Sequence, residues 1–128
     1  MKIHNVHERS LPATPEDVTA LFADMLQLWP SPERAPKPEG DLLRVGPMLW
    51  QGVERPGAVL AYDIVGPPDL RGSHWFEVDA TSSGGSRLRH TVEGEAVGDF
   101  EPVWRDRIEP MHDLYIEAIF DRAESALA

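Results

Sequence analysis

The chain has 128 residues, a formal net charge of −10 and no cysteine. That length suits one domain spanning residues 1–128 around one core, and the missing thiols exclude disulfides and Cys-type zinc sites and fit a reducing, cytoplasmic setting. The acidity argues against nucleic acid and anionic lipid as partners; the N-terminus lacks the apolar run of a signal peptide, and no stretch approaches the roughly 20 apolar residues of a membrane span, so no membrane insertion is expected.

Ile3 to Leu11 reads as a first strand, too polar to say which face is buried. His4 and His7, three apart on that strand, should point to opposite faces and lie at the surface or sheet edge. Thr14-Pro15-Glu16-Asp17 is a helix start, with a capping threonine, proline in the first helical position and acids in the first turn. Val18, Leu21, Phe22, Met25 and Leu26 then repeat at helical spacing until Pro30 ends the helix. Trp29 to Gly40 carries four prolines and reads as a loop over one end of the domain, with Trp29 placed to close a pocket mouth or anchor the helix end.

From Asp41 to Gly98 short strands alternate with Gly/Pro turns, the pattern of an antiparallel meander: Met48–Glu54, Ala58–Val65, Gly72–Thr81 and Ser86–Val97. Period-two alternation turns His74, Phe76 and Val78, and likewise Leu88, His90 and Val92, toward one buried face. Leu60, Tyr62, Ile64, Met48 and Trp50 are assigned to the same face, and Trp75 to the outer one. Asp99 can cap a last helix running to about Leu127, whose apolar stripe is Trp104, Ile108, Met111, Tyr115 and Ile119, widened by Leu114, Ile116, Ala118 and Ala123. Pro110 falls inside it and should cause a kink or a local bulge. Arg105, Arg107, Glu101 and Glu109, and Asp113 with Glu117, read as a solvated face.

One amphipathic sheet and one long amphipathic helix make a two-layer α+β domain. The inward set mixes aromatics with His and Tyr, which is the composition of a ligand pocket and also of an ordinary core with satisfied polar groups. The pocket candidates are Trp50, Tyr62, His74, Phe76, His90, Trp104, Ile108, Met111, His112 and Tyr115. The histidines can serve as acid and base or simply hydrogen-bond inside the core. Convergence of His74, His90 and His112 would permit a zinc site, but nothing in their spacing demands one, and neither a metal nor a cofactor is expected. There is no strained nucleophile elbow and no glycine-rich phosphate loop, so no catalytic residue is assigned.

Several stretches together resemble the START-like helix-grip superfamily, also called SRPBCC. The run His4 to Val18, with its Pro12-Ala13 turn, is similar to that family's first strand and following helices. Gly72 to Val78 and Ser86 to Glu93 are similar to its last two strands, and Pro110 to Glu117 to the closing helix of bacterial members of the polyketide cyclase/dehydratase-like group. The resemblance covers nearly the whole chain in order. It implies a curved antiparallel sheet of six to seven strands wrapped around the long C-terminal helix, with a short helical segment after the first strand and a cavity for a small apolar or aromatic molecule. The short stretch from Leu42 to Trp50 departs from the pattern and points to an incomplete sheet with a smaller or more open cavity. Three functions stay open: binding or sequestration of such a ligand, cyclase/dehydratase-type catalysis with a pocket histidine, and an interaction module with a filled core.

Overall fold

The computed structural model describes all residues 1–128. Strand β1 (Lys2–Leu11) leads into helix α1 (Pro15–Leu21), and a meander follows: β2 (Lys37–Glu39), β3 (Leu42–Val45), β4 (Met48–Val53), β5 (Leu60–Gly66), β6 (Leu70–Ala80) and β7 (Ser86–Ala96). The chain closes with α2 (Phe100–Val103), a π-helical segment (Trp104–Ile108) and α3 (Glu109–Ala126). All seven strands join one antiparallel sheet in the order β1-β7-β6-β5-β4-β3-β2.

The sheet is therefore complete, contrary to what the short Leu42–Trp50 stretch suggested. Two two-residue turns save the length. Gly40 (φ 62°) and Gly46 (φ 56°) adopt left-handed backbone in the β2–β3 and β3–β4 turns, where a residue with a side chain would be strained. The proline-rich loop is likewise partly ordered: Pro32–Arg34 forms a 3₁₀ turn, and Pro38 is accepted in β2 because that strand is an outer edge. At the register pair Gly72↔Gly94 the strands β6 and β7 approach so closely that a Cβ on either residue would collide with the facing backbone.

The first helix is shorter than its periodicity indicates. Thr14 caps it as expected, its Oγ1 accepting from the Asp17 backbone N–H at 3.3 Å. After Leu21 the chain continues as a 3₁₀ helix over Phe22–Leu28, broken by non-helical dihedrals at Asp24. At the other end, Asp99 makes no side-chain cap. The bulge expected near Pro110 is present as the π-helical segment, in which the Glu109 N–H donates to the carbonyl of Trp104, five residues back. Pro110 follows directly; its missing N–H removes one bond from a backbone that is helical from Phe100 to Ala126, and the bulge accommodates that loss.

Burial is uneven along α3. Its C-terminal half supplies the buried residues Ile116, Ile119, Phe120 and Ala123, the first three of which join Leu11, Val18, Phe22 and Leu88 in the hydrophobic core. Leu114, assigned to the apolar stripe, is 68% exposed. Trp75 does lie on the outer face but is buried: the Arg55 guanidinium covers its ring at 3.5 Å, and its Nε1–H donates to Glu77 at 3.0 Å. No helix is long and apolar enough to cross a membrane.

Candidate functional site

Between the N-terminal half of α3 and the concave face of the sheet lies a cavity of about 820 Å³. The sheet contributes alternate residues, as pleating requires: Met48 and Trp50 from β4, Tyr62 and Ile64 from β5, His74 and Phe76 from β6, His90 and Val92 from β7. The helical side contributes Trp104, Ile108, Met111, His112, Tyr115 and Ile119. All ten pocket candidates named from the sequence line this one space. The volume falls in the range of about 300–1,000 Å³ typical of small-molecule sites. Met25 and Trp29 of the first helical region complete the wall, with the Trp29 and Tyr115 rings 5.7 Å apart.

The polar groups are concentrated in a row of imidazoles. Ring centroids are 5.9 Å apart for His7–His112, 5.1 Å for His112–His90 and 5.6 Å for His90–His74. The row continues into Trp50, 4.1 Å from His74, and Tyr62, 5.3 Å from His74. Nε2 of His74, Nδ1 of His90, Nε2 of His112 and Nε1 of Trp50 are buried with no hydrogen-bond partner within the chain. Such groups are rare in folded proteins because desolvating a polar atom without a partner costs about 1–3 kcal/mol.

Burial sets the charge state of this row. Desolvation lowers His74 to about 3, with a smaller contribution from His112, and lowers His90 well below its ordinary value. Desolvation also takes His112 down to about 4 against the opposing pull of Asp113. Three neutral imidazoles thus face an apolar space at neutral pH.

His7 differs, and it corrects the sequence reading. His4 is exposed beside Glu93, as expected. The His7 side chain, however, lies on the concave side and is only 18% exposed. Its Nδ1 is 2.7 Å from Glu117 Oε2 and its Nε2 2.9 Å from Asp113 Oδ1. Burial opposes its protonation, but these two carboxylates outweigh it and raise its pKa. Asp113, Glu117 and Glu109 are consequently not a free solvated face. Asn5, His7 and Arg9, alternate residues of β1, meet Glu109, Asp113, Glu117 and Asp121, spaced four apart on α3. Asp113 Oδ1 accepts from Asn5 Nδ2 at 2.9 Å and lies 3.3 Å from His112 Nδ1. Arg105 pairs only with its neighbour Asp106.

The donor atoms that approach within 4.8 Å of one another belong to His7, His112 and Asp113, rather than to the three cavity histidines. His7, held on both ring nitrogens by carboxylates, fits a proton as it stands; a metal would have to displace it.

Solved structures with the same arrangement place the architecture. A START superfamily protein from Mycobacterium smegmatis aligns with a TM-score of 0.61 at 12% identity, covering 98% of this chain and 96% of its own. A norcoclaurine synthase point mutant from Thalictrum flavum, in complex with a transition-state analogue, aligns with a TM-score of 0.70 at 10% identity, covering 99% and 94%. The fold is the START-like helix grip. The helix-grip chain also spans about half (51%) of the di-domain aromatase/cyclase StfQ of steffimycin biosynthesis, covering 99% of itself with a TM-score of 0.63 at 9% identity. No protein-family profile and no curated sequence matches it. At these identities the likeness is one of fold, and the cavity chemistry must be argued from this chain's own residues.

Proposed function

We propose that this helix-grip protein, acting in the cytoplasm, binds or sequesters a small, largely apolar or aromatic molecule in the cavity. The observation that supports this reading is a largely apolar cavity lined by His74, His90, His112 and Trp50, whose side chains each carry a buried nitrogen with no partner in the chain. A guest that buries apolar area gains roughly 25 cal/mol per Å², before ordering costs, and polar atoms on the guest would satisfy these nitrogens. Trp50, Tyr62, Phe76, Trp104, Ile108, Met111 and Tyr115 form the walls. The test is native mass spectrometry of protein purified from its own host, followed by titration of the recovered compound against His74→Phe and His90→Phe. The expected result is a retained fold with affinity lowered about tenfold for each lost hydrogen bond. Unchanged affinity in both variants would remove the histidines from recognition.

A second reading, proton transfer on a bound carbonyl compound of the cyclase/dehydratase type, is favoured by the His112–Asp113 contact. An Nδ1–H donated to Asp113 leaves Nε2 of a neutral imidazole with a free lone pair on a side chain that lines the cavity. Nε2 would take a proton from a carbon next to the carbonyl, the C–H electron pair passing onto the carbonyl oxygen as an enolate. Solvent deuterium incorporation at that carbon, abolished in His112→Phe, distinguishes this reading from simple binding.

A further inference from the structure

The charges around the cavity run against those of the chain. The whole protein has 22 acids and 12 Lys and Arg. The cavity lining, by contrast, includes four cations, Arg34, Lys37, Arg44 and Arg107, and a single acid, Glu33. Arg44 is held by Glu39, with Nη2 to Oε2 at 2.8 Å. Arg34, Lys37 and Arg107 have no carboxylate within salt-bridge distance, and all three are exposed. They come from three elements: the Pro32–Arg34 turn, the edge strand β2 and the π-helical segment. Arg34 reaches toward α3, its Nη1 4.0 Å from Met111 Sδ, so it bridges the opening between turn and helix. His74 and His90, by contrast, stand on β6 and β7, four and five strands away from the edge strand β2 that carries Lys37. The site therefore has two ends: a rim with unpaired positive charge and an interior of neutral rings.

We propose that the ligand is an amphipathic anion, whose carboxylate- or phosphate-type head is held at the rim by Arg34, Lys37 and Arg107 while its apolar body lies along Trp50, Phe76 and Ile119. The inference rests on the small-molecule reading above and adds the charge and orientation of the guest. Three like charges around one opening repel one another, and a single anion relieves that repulsion while it satisfies them. Guanidinium forks suit both oxygen-rich head groups, and long cationic side chains can lie along an apolar wall with their heads in water.

The test uses probes matched in chain length: laurate, dodecyl phosphate, dodecanol and dodecyltrimethylammonium, each below its micelle concentration, displacing the uncharged dye Nile red from the full chain. Laurate or dodecyl phosphate is expected to bind about tenfold or more tightly than dodecanol, and the quaternary ammonium most weakly; the tighter of the two anions identifies the head group. Raising salt from about 50 to about 500 mM should shrink the anion's advantage, since these charges are exposed. The double variant Arg34→Gln/Arg107→Gln should lose most of that advantage and keep its dodecanol affinity, whereas Arg122→Gln, remote from the cavity lining, should change nothing. If dodecanol binds as tightly as both anions, the charge assignment is wrong and the apolar-cavity reading stands. If no probe displaces the dye and Nile red itself does not bind, both readings fall.

Discussion

The two halves of α3 perform opposite tasks. Around Phe120, which is fully buried and does not line the cavity, the helix packs into a closed core against the first strand and the 3₁₀ segment that follows α1. One to two turns earlier, Met111, His112 and Tyr115 overhang open space. The difference shows where stability and binding reside. Apolar packing at the closed end, together with the charged seam between α3 and β1, holds the helix in place, so the hollow end can keep polar nitrogens without partners. The domain tolerates that local penalty because its folding free energy is gathered elsewhere.

This contrast can be broken directly. Phe120→Ala should lower unfolding free energy by about 3–5 kcal/mol, while Met111→Ala, at the rim of the cavity, should lower it by less than about 1 kcal/mol; chemical denaturation compares the two. Equal losses would show that the hollow end is packed in solution.

Acid should attack the hollow end next. His74 and His112 have folded pKa values depressed to about 3 and about 4 from 6.5. Their stability contribution is fully present above pH 6.5 and is lost as pH falls toward those values, with a slope of about 1.4 kcal/mol per pH unit for each ring. His90 adds in the same direction. His7 runs the other way: its raised pKa gives stability that is present below 6.5 and disappears as pH climbs through the raised value. Denaturation midpoints should therefore fall steeply below pH 6.5, and His74→Phe should flatten that fall.

At the seam, Asp113→Asn weakens the contacts of Asn5, His7 and His112 together. The aspartate side chain is 43% exposed, so the expected loss is about 1 kcal/mol, measured by thermal or urea unfolding. It should also return the His7 titration toward its ordinary range, visible by NMR. Smallest of all, Arg55→Ala uncovers the Trp75 ring and should cost about 0.5–1 kcal/mol with a red shift in tryptophan emission.

The interior of the sheet was legible because β6 and β7 alternate strictly, and that pattern alone brought His74, Phe76 and His90 to one wall. β1 concealed its inner face for a physical reason. Its inward residues, Asn5, His7 and Arg9, are polar because they face carboxylates rather than oil, so hydrophobic periodicity is blind to them. The available signal was a match of two periods: polar residues two apart on a strand against acids four apart on a helix. The edge strands were obscured by Pro38 and by brevity, and the break at Asp24 lay under an apolar pattern that suits a 3₁₀ helix nearly as well as an α-helix. The burial of Trp75 depended on Arg55, twenty residues distant and across the sheet's outer surface, which no local pattern encodes.

The row of four imidazoles has one more consequence. Its members differ in solvent access and hydrogen bonding, so their ring-proton resonances should be separately resolved and should titrate over different pH ranges. A molecule bound beside Trp50 should shift His74 most and His7, which lies outside the cavity lining, least. The relative size of the four shifts at saturation would thus read out how deep the bound molecule lies, with no label attached to either partner.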